Sequence, residues 1–500
     1  MSWTRRSLLK GALAAGATGA VGGRALWRAA RADDDGPRYL VILGCFGGAS
    51  MLDCFMPLNQ NEVVSDPNRG TVIGYDTVHP SGSNIRCVDR STPKAFLERY
   101  ADQTVVMGTQ SSSVNHWVAQ ARAINGRDVF NGRTLAESVA AVYGAGMPLP
   151  NVNMGRGGFT VPGVDPALDP RYRAEIVTNP VTFAFSTHGE AGVLPLGDTP
   201  AQDPDVRTAM MARTRALRDG TLEDLSPFGR TFANSRIRRD LLWSRQTVDP
   251  QLEVDDLIRR LLFVPDLGEA LPLSEWGIEP SEEVDRVRSA LPDSFPANTS
   301  GIARDRLQAQ AALAYLLIKT QSSAAMTLVE PGTDGFLAFD QSHNDHKSAQ
   351  ATHWDRVLDT TDRLIRLLEA SEHLDPDGQP TGQTLWDRTM IVFATEFGRD
   401  KWDTGGRFGT GHHLNNGLLA VSPMLAGNQS LGEPDPNNGF ICGFDPDTGA
   451  PTPFSELGPG EDPLFSDARL PPAEEPVFGA LLDVLDVQFD GQETIPVIKG

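Results

Sequence analysis

Five apolar residues in a row, Met390 to Ala394, run directly into Thr395, Glu396, Phe397, Gly398 and Arg399. A run this short and unbroken fits a strand buried on both faces. Beyond it lie a loop with Gly405, Gly406, Gly409 and Gly411, then His412 and His413. Open α/β sheets hold ligands in the crevice outside the carboxyl ends of their strands, so an acid and imidazoles here predict a metal or acid/base site. The runs Tyr39 to Leu43, Thr104 to Met107, Ala325 to Val329 and Leu418 to Val421 share the strand pattern. Helical spacing alternates with them, as in Arg304 to Thr320, with Leu307, Ala311, Ala314, Leu317 and Ile318 on one face. The alternation predicts an α/β fold around a mostly parallel central sheet.

Three of these runs are also followed by ionisable or nucleophilic residues. Past Leu43, Gly47 and Gly48 permit a tight exit, and Asp53 stands near the strand end, where by local sequence it reads as a turn cap. Past Met107 come Ser111, Ser112, Ser113 and His116, ahead of a helix read over Ala119 to Ile124. The free N–H groups of a helix start favour an anion there, and by local sequence the serines read as N-caps. Past Val329, a loop carries Asp340, His343 and His346 ahead of a helix with Val357, Leu358, Leu364 and Ile365 on one face. A carboxylate and an imidazole from one loop suit Zn²⁺, Mn²⁺ or Fe, whereas Mg²⁺ and Ca²⁺ prefer all-oxygen ligands.

Acidic side chains outnumber basic ones, 65 to 44, for a net charge of −21. Such a surface argues against a nucleic-acid partner. An anionic ester would need local positive charge, from metal ions or from Arg399 as a clamp on the oxyanion. Cys45, Cys54, Cys87 and Cys442 lack the C-x-x-C spacing of a zinc knuckle, and in an oxidising compartment they allow one or two disulfides. Thr4 to Lys10 reads T-R-R-S-L-L-K ahead of an Ala/Gly run, with Ala30, Arg31 and Ala32 as a cleavage site. This predicts a twin-arginine signal peptide over 1–32 and a mature chain from Asp33 that is periplasmic or secreted. The apolar run is too short and Gly-rich to span a bilayer, so no membrane span is expected in the mature protein. Charge-dense helical stretches over about 203–300 predict a helical cap or insertion within one domain, 33–500, and Thr134 to Tyr143 reads as a surface helix.

Taken in order, these motifs resemble the bacterial exported family known as domain of unknown function 1501. Gly47 through Pro57 match its G-G-x-S-x-x-D-x-F-x-P, and Asn115, His116, Ala119 and Gln120 its N-H-x-x-A-Q. Phe339, Asp340 and His343 match W-D-T-H with one inserted residue, so His343 and His346 both stand for its histidine. Thr395 to Arg399 is its T-E-F-G-R, and His412 closes its G-x-D-H with Gly411 where the family has Asp, so that either His413 compensates or one metal position is lost. That family is similar in layout to the alkaline phosphatase and sulfatase superfamily. The resemblance implies an alkaline-phosphatase-like three-layer sandwich with one or two divalent ions held by Asp53, Asp340, His343 or His346, Glu396 and His412. It implies a hydrolase of a small phosphate or sulfate ester, with one of Ser111, Ser112 and Ser113 as the nucleophile and His116 as a proton donor or ligand. The competing expectation is a non-catalytic binding protein on the same scaffold, with an envelope or polysaccharide partner.

Overall fold

The computed structural model describes residues 36–183 and 303–500, apart from 69, 127–131, 333–337, 376–377, 404–408, 455–469 and 490, together with 27–28, 213, 261, 263 and 283–295. The expected signal peptide and most of the expected insertion at 203–300 lie outside these residues. Within the former, Trp27–Arg28 pairs antiparallel with Gln488–Phe489.

The apolar runs become the centre of an eight-stranded sheet. In chain order its strands are β1 (Tyr39–Cys45), β2 (Thr104–Gln110), β3 (Asn151–Asn153), β4 (Glu175–Ile176), β5 (Ala325–Val329), β6 (Thr389–Thr395), β7 (Asn415–Val421) and β8 (Gln429–Leu431). Their spatial order is β8-β2-β7-β6-β1-β5-β3-β4. Only β7 runs against its neighbours, pairing antiparallel with both β6 and β2, while every other pairing is parallel. Residues such as Leu40, Val41, Met390 and Phe393 are 0% exposed, which is why these runs carry no alternation of apolar and polar residues. Burying each such side chain contributes roughly 1.5–3 kcal/mol.

Helices α1 (Ser91–Tyr100), α2 (His116–Asn125), α3 (Leu135–Tyr143), α4 (Glu283–Ala290), α5 (Arg306–Lys319), α6 (His346–Glu369) and α7 (Glu474–Val484) pack on the sheet in two groups. In one, α6 packs with α1, α4 and α5; in the other, α2, α3 and α7 pack together. Two expectations change here. Helix α3 is core and not surface, because its small Ala136 and Ala140 let it pack on β1 and β5, with a Thr134–Glu137 capping box at its start. His346 is the first residue of α6 and not part of the preceding loop, because Asp345 caps the helix by accepting from Ser348 N–H. All four cysteines are buried free thiols. Among the described residues, no helix is long and apolar enough to cross a membrane.

Because β7 is antiparallel, its first residues lie at the edge where β1, β2 and β6 end. The segment from Glu396 to Leu414 therefore leaves and re-enters the sheet at one edge, beside the exits of β1 and β2.

Candidate metal centre

Close backbone approach assembles this edge. Gly47 follows β1 with φ of +95°, and a Cβ there would overlap the Asp340 main chain. Gly409 meets the His343 carbonyl in the same way. Asn115 caps α2 by accepting from Val118 N–H at 3.3 Å, which fixes His116 in the first turn. A short antiparallel ribbon, Gly398–Arg399 with His412–His413, sets Arg399 opposite His412.

Four side chains converge on one oxygen, Asp340 Oδ1. Arg399 Nη2 lies at 2.7 Å, His343 Nε2 and His412 Nε2 at 3.2 Å, and His116 Nε2 at 3.7 Å. The Nε2 atoms of His343 and His412 are 2.8 Å apart. One ligand atom each from His116, Asp340 and His412 lie within 4.8 Å of one another. The far nitrogens of two of these rings are engaged. His116 Nδ1–H donates to Glu396 Oε2 at 2.9 Å, and His412 Nδ1–H donates to the Val114 carbonyl at 3.1 Å. Carboxylate and carbonyl oxygens only accept, so each neutral ring carries its proton on Nδ1 and turns a bare Nε2 lone pair inward. Phe397 stacks on His412 at 4.0 Å between centroids, and Phe46 on His116 at 5.8 Å, which fixes both ring planes.

Glu396 lies behind this arrangement. It also accepts from Gln120 Nε2 at 3.0 Å and from the Gly47 N–H. Its hydrogen bond raises the His116 pKa above the ordinary imidazole value, against the lowering effect of burial. Burial alone would raise the Asp340 carboxyl, but its contacts with His412 and Arg399 outweigh it and hold the group well below the usual carboxylate range. Burial and the Arg399 charge push His343 down.

Asp53 and His346 do not join this group. They form a second, fully buried cluster in which His346 Nε2 is 2.8 Å from Asp53 Oδ1, and the Lys401 ammonium contacts Asp53 Oδ2 and lies 3.0 Å from His346 Nε2. The Tyr75 hydroxyl donates to Asp53 Oδ1. Burial works to raise the Asp53 pKa, and the charges of His346 and Lys401 overcome it to hold the carboxyl far down. The clusters meet at Thr410, whose hydroxyl bonds His346 Nδ1 at 2.7 Å while its carbonyl accepts from Arg399 Nη1 at 3.2 Å.

The remaining candidates are engaged elsewhere. Ser111 Oγ donates to the Glu396 carbonyl at 3.1 Å and accepts from Asn416 Nδ2 at 2.9 Å. Ser112 Oγ bonds Glu474 Oε1 at 2.8 Å, and Ser113 Oγ accepts from Asn115 N–H at 3.1 Å. Arg399 is buried, with N–H groups on the carbonyls of Gly47, Phe339 and Thr410 besides Asp340, and no open fork faces solvent. His413 points away from Asp340 and stacks on Phe440 at 4.3 Å. The residues that sequence reasoning passes over are Lys401, Tyr75 and Thr410. Lys401 was discoverable, since two residues past Arg399 on an extended segment it faces the same side. Arg156 lies over the Phe46 ring at 4.5 Å and makes no ion pair among the described residues.

No protein-family model matches the chain, and no curated protein matches it either.

Proposed function

We propose that the protein is a metal-dependent hydrolase of phosphate or sulfate esters, on an alkaline-phosphatase-like variant of its α/β sheet. In this reading it belongs with the exported family its motifs resemble and reaches the periplasm or the exterior by the twin-arginine route. One observation carries the chemistry. Two imidazoles with protons held on Nδ1 aim bare Nε2 lone pairs at a carboxylate oxygen that Arg399 contacts from another side, and a divalent ion between them would relieve the repulsion of the lone pairs. Two imidazole nitrogens and one carboxylate oxygen suit Zn²⁺, Mn²⁺ or Fe.

The donor set thus fits a divalent ion, held by His116, Asp340 and His412 with His343 beside them. Such an ion supplies Lewis-acid polarisation of an ester oxygen and a lowered pKa for water. Glu396 holds His116 and Arg399 holds Asp340 in position. His343, the most exposed of the three histidines at 43% of its side chain and pushed towards its neutral form, would take the proton of the attacking water and pass it to the leaving group. Arg156, over the Phe46 ring that stacks on His116, is the cation assigned to the ester's anionic oxygens. Because Ser111, Ser112 and Ser113 are engaged elsewhere, water is the nucleophile. The same commitment of the serines favours the second reading, a binding protein on this scaffold, and turnover of ester substrates decides between the two.

Metal analysis of protein purified without chelator tests the centre. About one equivalent of Zn, Mn or Fe, lost in His412→Ala, is expected. Absence of bound metal after reconstitution with each of these ions removes the centre and the hydrolase with it.

A further inference from the structure

Asp53 heads the motif Gly47 to Pro57, and the resemblance gives it an ion to hold. Its surroundings do not fit one. Both carboxylate oxygens are occupied, Oδ1 by Tyr75 and His346 and Oδ2 by the Lys401 ammonium. His346 Nε2 stands 2.8 Å from Asp53 Oδ1 and 3.0 Å from Lys401 Nζ, so it either donates to the acid or accepts from the ammonium. In neither case does it keep a lone pair for a metal. Asp53, His346 and Lys401 are 2%, 1% and 1% exposed. A divalent ion added there would meet a fixed positive charge with a single carboxylate to balance both and no water to screen them.

We infer that Lys401 is a built-in cation that takes the place of a second metal ion. The protein then binds a single ion, at His116, Asp340 and His412, and the Asp53 cluster is its metal-free counterpart, linked to the ion site through Thr410. This inference rests on the reading of His116, Asp340 and His412 as ligands. It adds the stoichiometry, and it withdraws Asp53 and His346 from the ligand set.

Lys401→Ala removes the ammonium and leaves space flanked by a carboxylate and an imidazole. Metal content after equilibration with Zn²⁺ and then removal of free ion is the measurement. One equivalent in the wild-type protein and two in Lys401→Ala are expected. Two equivalents in the wild type overturn the inference while leaving the His116 centre intact. One equivalent in a folded Lys401→Ala also overturns it, since removing the ammonium then opens no site. If Lys401→Ala does not fold, Asp53→Asn decides: one retained equivalent supports the inference, and loss of the ion overturns it. No ion in the wild type overturns this inference and the hydrolase reading together.

Discussion

The Nε2 atoms of His343 and His412 face each other at 2.8 Å, although the two rings come from segments 69 positions apart. Of the two rings, His412 has its outer nitrogen on the Val114 carbonyl, so its inner lone pair is fixed, while His343 also meets Arg399 Nη1 at 3.3 Å. On the proposed reading the first serves as a ligand, and the second keeps the freedom to move a proton.

In the proposed centre Glu396 acts on the ion through His116. Glu396→Gln is expected to weaken metal affinity about 10- to 100-fold at neutral pH, the usual cost of losing a carboxylate behind a ligating histidine. The pH dependence shifts as well. Glu396 raises the His116 pKa, so protons compete with the ion from a higher pH in the wild type. In Glu396→Gln the fall in affinity on acidification should therefore begin at lower pH. Metal titrations at several pH values check this, and an unchanged midpoint rules out the proposed hydrogen-bond control.

The Asp53 carboxyl titrates far below its unfolded value, so its contribution to stability is present above about pH 4 and is lost as pH falls towards the depressed folded value. Asp53→Asn leaves Lys401 buried without its acid, and should cost about 3–5 kcal/mol at pH 7. The gap between variant and wild type should narrow steadily below pH 4. Urea unfolding at pH 7 and pH 3 measures it, and an equal gap at both assigns the loss to packing.

Gly411 stands where the resemblance calls for a carboxylate. Alternation along the ribbon turns His412 and Arg399 towards Asp340, so positions 411 and 413 face the other way, and a Cβ at 411 meets nothing within 4 Å. Gly411→Asp should change stability by less than about 0.5 kcal/mol and leave metal affinity unchanged. A tenfold gain in affinity would place the new carboxylate at the ion and contradict this orientation.

Arg156→Ala should raise KM for an anionic ester about 10- to 100-fold, the loss of one charged hydrogen bond, with kcat little altered. Arg156→Lys should recover part of the loss. Steady-state kinetics on a phosphate or sulfate ester provide the readout, and an unchanged KM removes Arg156 from substrate binding.

The sheet was largely legible because strands buried on both faces leave unbroken apolar runs, and β1, β5 and β6 each contain the run that announces them. The reversed direction of β7 was less so, since burial is the same either way and only the Gly-rich sequence between Arg399 and His412, without helical spacing, hints at it. Asp340, His116 and His412 could be chosen from their positions past strand ends. Their separation from Asp53 could not, because it depends on where one lysine side chain comes to rest. Helix α3 was misread for a related reason: alanines give little hydrophobic signal, yet they allow the closest approach to the sheet.

The sequence distances across this edge set an order of events. Glu396 lies 349 positions from Gly47, and Lys401 lies 348 from Asp53. Neither cluster can form on a ribosome until the segment that carries Glu396 and Lys401 has been made. Closing loops this long makes the edge a late feature of folding. On the proposed reading an ion is therefore captured only after that segment has emerged and docked against the exit of β1.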